Sequence, residues 1–106
     1  MVKLNFYVPP SHLEQVKEAI FAAGAGAQGD YNQCCWQTLG KGQFCPLPGS
    51  DPYIGEVCQL TQVDEYKVEV LCEESKLLEV ISALRLAHPY EEPAFECYSI
   101  VDPTEI

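Results

Sequence analysis

Residues 2–24, VKLNFYVPPSHLEQVKEAIFAAG, decide the fold. The first seven alternate. Val2, Leu4, Phe6 and Val8 point one way, and Lys3, Asn5 and Tyr7 point the other, the pattern of a half-buried strand. Pro9 and Pro10 end it. Ser11 followed by Glu14 fits a capping box, which predicts a helix running to about Ala23. Leu13, Val16, Ala19, Ile20 and Ala23 recur at helical spacing as an apolar stripe. Gly24 suits the helix stop. A one-faced strand followed by a one-striped helix is half of a sandwich, because each needs the other to cover its apolar side.

The second half repeats the theme. Residues 63–72, VDEYKVEVLC, set Tyr66, Val68 and Val70 against Lys67 and Glu69. A helix is expected over about 74–87, lined by Leu77, Val80, Ile81 and Leu84. His88 stands at its end and Pro89 stops it. Phe95 to Val101 read as a last strand. Between the halves, residues 30–46 read as a hairpin, YNQCCWQTL and QFCP joined by Gly40-Lys41-Gly42 as the turn. Residues 46–55, PLPGSDPYIG, read as a long ordered arm. The order β-α-β-β-α-β describes an α+β, ferredoxin-like sandwich, an antiparallel sheet with two helices on one face. A chain of 106 residues favours a single domain, 1–106.

Composition narrows the function. The chain carries 16 acids against 6 bases, a net charge of −10. Phosphate contacts need bases, so nucleic acid is not an expected partner. No apolar run reaches the ~20 residues of a membrane helix. The N-terminal MVKLNFYVPP has no basic start followed by an apolar stretch, so the cytoplasm is the expected compartment. The 6 cysteines include no C-x-x-C pair, and reduced thiols are the default there. Cys72 and Cys97 read as core packing. Cys34 and Cys35, if extended, face opposite sides of the sheet.

The string GAGAQG, residues 24–29, matches G-x-G-x-x-G. A dinucleotide site needs a strand before it and a helix after it. Here a helix precedes, so the glycines read as a helix exit and close backbone packing. No nucleophile–base pair is legible. His12 falls in the first turn of the first helix, facing solvent. The segment His88-Pro89-Tyr90-Glu91-Glu92-Pro93 carries three readings. It is a structural corner, a subunit contact through Tyr90, Pro93 and Phe95, or a metal site with His88, Glu91 and Glu92 as ligands, to which Cys34 is a further candidate.

Four motifs in order carry a resemblance. They are Gly24, Gly26, Gly29, Tyr31 and Cys34; Gly40, Gly42, Phe44 and Pro46; Gly49 with Pro52-Tyr53-Ile54-Gly55-Glu56; and His88 through Ala94. Together they resemble a stand-alone form of the YqfO-type insert domain of the NGG-interacting-factor family. The resemblance implies a PII/CutA-like fold and assembly as a trimer through the sheets. In larger family members this domain interrupts another that holds a two-metal site. Those halves are not in these residues, so their metal ligands and hydrolase activity do not carry over. The basic residues with which PII-like proteins bind phosphate have no counterpart here either. The expected function is a non-enzymatic oligomeric module, regulatory or ligand- and partner-binding. A CutA-like protein binding a divalent metal through His88 and nearby acids is the alternative, and a hydrolase acting at subunit clefts ranks below it.

Overall fold

The computed structural model describes residues 1–101 and Pro103. Strand β1 spans Val2–Val8, helix α1 Leu13–Ala22, β2 Trp36–Phe44, β3 Thr61–Cys72, α2 Leu77–Ala87 and β4 Phe95–Ser99. The four strands form one antiparallel sheet in the order β2-β3-β1-β4. This is the ferredoxin-like arrangement the sequence implies.

The alternation in β1 sets the register. Val2 pairs with Cys72, Leu4 with Val70 and Phe6 with Val68, so apolar side chains of the two central strands share a face. Leu4, Phe6, Val8 and Val68 are fully buried there, with Val16 and Ile20 of α1 and Val80 and Leu84 of α2. Each such side chain contributes roughly 1.5–3 kcal/mol by leaving water. The helices therefore cover one face of the sheet. The other carries the Lys3–Glu69 ion pair at 2.7 Å and a hydrogen bond from the Tyr7 hydroxyl to Glu96 Oε1 at 2.8 Å.

Three local expectations are corrected. The capping box does not form. The two prolines instead lead into a single 3₁₀ turn, Pro10–His12, closed by the His12 N–H on the Pro9 carbonyl at 3.0 Å. Ser11 Oγ lies 2.8 Å from His12 Nδ1 and Glu14 pairs with Lys17, so neither side chain reaches back to the helix start. A second 3₁₀ turn, Glu74–Lys76, likewise precedes α2. The last strand ends at Ser99, two residues short of Val101.

The third correction concerns Gly40-Lys41-Gly42, which is no turn. Strand β2 runs straight through it, pairing Gly40 with Glu65 and Gly42 with Val63. The chain reverses instead across residues 45–60, the proline- and glycine-rich arm. Cys34 and Cys35 consequently precede the strand and lie outside the β ladder. The glycine at 42 answers to crowding. A Cβ built on it would overlap Glu65 Oε1, so the missing side chain gives the Glu65 carboxylate its place. Gly26 is the counterpart at the exit of α1. Its φ is +81°, and a Cβ there would sit 2.9 Å from the Cys34 carbonyl oxygen.

Candidate functional site

The corner after α2 is built around His88. Its N–H makes the last helical hydrogen bond, to the Leu84 carbonyl at 2.9 Å. Its backbone is extended, φ −72° and ψ 136°, as a residue before proline must be. The ring then folds inward and is 6% exposed. Nε2 lies 2.7 Å from the Tyr7 carbonyl oxygen, and the Tyr90 N–H donates to Nδ1 at 3.1 Å. These partners require a proton on Nε2 and a lone pair on Nδ1, the neutral tautomer. Burial lowers the imidazole pKa below its ordinary value, against the raising effect of the Tyr7 carbonyl. His88 thus ties the end of α2 to the end of β1.

The next residues face the arm. The Tyr90 ring lies 4.8 Å from the His88 ring and 6.3 Å from that of Tyr53 on the arm. Tyr53 also meets the His12 ring edge-on at 5.6 Å. His12 is therefore half-buried against the arm rather than turned to solvent. Glu91 Oε2 accepts the Asp51 N–H at 2.9 Å. These contacts hold the arm beside the corner, with a cleft of about 330 Å³ between them. Phe44, Tyr53 and Tyr90 form its aromatic walls, and Glu65, Glu91 and Glu92 supply carboxylates.

The Tyr90 hydroxyl is shut off from solvent and has no hydrogen-bond partner among the described residues. It stands beside the Glu65 carboxylate without reaching hydrogen-bond geometry. Burial first, and then Glu65, push its pKa far above the ordinary phenol value. The phenol is therefore protonated at any working pH and retains a donor.

The sequence candidates separate. Glu91 and Glu92 line the cleft. Cys34 lines a different hollow of about 600 Å³, with Gly26, Trp36, Lys3 and Glu69. Both His88 nitrogens are committed to the backbone, which leaves none for a metal. Among the described residues no three His, Cys, Asp or Glu side chains gather as a metal site. The four candidate ligands are thus divided between two hollows and the buried His88 ring. No helix among the described residues is long and apolar enough to cross a membrane.

Sequence reasoning missed Glu65, which looks like any outward residue of β3. Tyr53 and Phe44 stood in recognised motifs, but nothing local showed that they would line one cleft with Tyr90. The one available signal was Gly42, a glycine inside a strand, which marks a close approach.

No family model matches the chain. It is 44% identical over 101 residues to a Mycobacterium leprae protein named GTP cyclohydrolase 1 type 2 homolog, covering 95% of this chain and 26% of that protein. A Bacillus cereus protein related to NIF3 superposes with a TM-score of 0.83 at 36% identity, over 95% of this chain and 26% of that one. The divalent cation tolerance protein CutA from Archaeoglobus fulgidus superposes with a TM-score of 0.67 at 17% identity, over 94% and 84% of the two chains. The chain spans about a quarter of the length of the proteins it matches in sequence. Over nearly its whole length it is similar in sequence to one segment of these longer proteins, and its fold is that of CutA.

Proposed function

We propose that this chain is a non-enzymatic, self-associating module that binds a small ligand or partner group in the cleft between the arm and the His88–Ala94 corner. The cleft itself carries the reading. It is concave and aromatic-walled, with a few polar groups, the carboxylates of Glu65, Glu91 and Glu92 among them. The commitment of both His88 nitrogens argues for binding over chemistry, since a general base needs a free lone pair. A nuclear-magnetic-resonance screen of neutral and charged fragments tests it. Saturable shifts at Tyr53, Glu65 and Tyr90 are expected; a screen that moves none of them rejects the cleft.

Self-association rests on the sheet face opposite the helices. Trp36 is 68% exposed and Tyr98 53% exposed on strands whose outer face no helix covers. Between them Asn5 is buried with an unpartnered Oδ1. The likeness to CutA and PII favours a trimer joined through these faces, and the cytoplasm is the compartment proposed from the sequence. Light scattering on the purified chain should give three times the monomer mass, and a monomer at micromolar concentration rejects the trimer.

A divalent-metal reading with His88, Glu91, Glu92 and Cys34 is weaker, because His88 would have to break two hydrogen bonds to coordinate. Calorimetry with zinc, copper and cobalt tests it, and an unchanged isotherm for His88→Ala removes His88 from the set.

A further inference from the structure

We infer that the cleft takes an organic cation, a primary ammonium or guanidinium group carried on a small apolar body. This rests on the reading of the cleft as a ligand site and names the chemistry of its occupant. The lining supplies both halves of such recognition. Phe44, Tyr53 and Tyr90 line the cleft, and the face of an aromatic ring attracts a cation through its quadrupole. Glu65, Glu91 and Glu92 present negative charge, and among the described residues no lysine, arginine or histidine lines the cleft. An anion would meet three carboxylates in a chain of net charge −10.

Glu65 is the group the fold places most deliberately. Its carboxylate lies over Gly42, where any larger residue would displace it. It also stands beside the Tyr90 hydroxyl, which is buried without a partner. A ligand N–H entering from the cleft would donate to the carboxylate, a charge-assisted bond stronger than a neutral one. Glu91 spends Oε2 on the Asp51 N–H and keeps Oε1 for the ligand.

The layout also separates an organic cation from a metal ion. A bare ion needs several oxygens converging at about 2–2.6 Å. These carboxylates do not gather in that way among the described residues. They are spread along a cleft of about 330 Å³, which suits an extended ligand with a charged head.

The test is a titration of the intact chain with 2-phenylethylammonium, followed by amide shifts. Phenylacetate and 2-phenylethanol are the anionic and neutral controls of similar shape. Saturable shifts at Tyr53, Glu65 and Tyr90 are expected with the ammonium and none with the anion. Glu65→Gln should weaken binding about ten-fold. Raising salt from about 50 to 500 mM should weaken it several-fold. If Glu65→Gln does not fold, Gly42→Ala displaces the same carboxylate and serves in its place. Equal binding of 2-phenylethanol or phenylacetate overturns the cation while leaving the ligand cleft intact. Shifts unaffected by both Glu65→Gln and Tyr53→Leu overturn it by placing the ammonium elsewhere. No shift with any probe overturns it as well, and the fragment screen then decides separately whether the cleft binds anything.

Discussion

The Nε2–H of His88 donates to the carbonyl of Tyr7 at 2.7 Å, joining residues 81 apart in the chain. The other ring nitrogen accepts the Tyr90 N–H two residues on. One side chain thus satisfies the β1 terminus and shapes the turn that follows α2. This double tie accounts for a histidine before Pro89 better than metal binding does.

His88→Ala leaves the Tyr7 carbonyl and the Tyr90 N–H without their partner. The expected cost is about 2–4 kcal/mol, from two groups stripped of hydrogen bonds in a buried corner. Urea unfolding monitored by circular dichroism measures it. A loss under about 0.5 kcal/mol, the size of an ordinary surface change, would contradict the tie.

Acidification should act through the same ring. Its folded pKa lies below the ordinary histidine value, so the unfolded chain binds more protons as pH falls through about 6.5. Stability is therefore full above that value and declines below it until the folded pKa is passed. Unfolding midpoints at successive pH values should show this slope in the native chain. His88→Gln should lose the part lying above the carboxylate range.

Gly40 and Gly42 are two residues apart in β2 and should respond differently to alanine. Nothing lies within 4 Å of a Cβ at Gly40, so Gly40→Ala should be neutral or slightly stabilising. At Gly42 the obstacle is the end of a flexible Glu65 side chain. Gly42→Ala should therefore cost little stability yet move the carboxylate and weaken binding in the cleft. Paired melts and ligand titrations check both halves.

Gly26→Ala should be costly, because its φ of +81° and the rigid Cys34 carbonyl 2.9 Å away leave no relaxed position for a Cβ. A loss of about 1–3 kcal/mol is expected. Gly29→Ala has a positive φ of +57° but open space, and shows the backbone part of the effect without crowding. A chemical-denaturation series across the two variants separates crowding from strain.

Local periodicity alone accounted for β1, both helices and the central strand β3, since alternation and the helical stripe are short-range consequences of which faces are buried. The same reasoning misplaced the reversal in the 30–46 region. Gly-Lys-Gly is a turn signal by composition, and only pairing with β3 along nine positions, Trp36 to Phe44, overrides it. A strand held by a full ladder on one side has no reason to bend at its glycines. The Ser11–Glu14 box failed for a related reason, because two prolines had already set the geometry of entry into α1.

The sequence by itself determined that an amphipathic strand–helix pair occurs twice, that the chain is acidic, and that residues 88–94 form a proline-bounded corner. Each follows from residue type and spacing, which act over a few positions. Tertiary structure alone decided what the corner does. It turned His88 inward onto Tyr7, brought Tyr53 of the arm against Tyr90, and set Glu65 over Gly42 at the edge of the same cleft. These residues lie far apart in the chain, and they meet because the ladder of β2 on β3 carries the arm to the end of α2, a placement that no local pattern encodes.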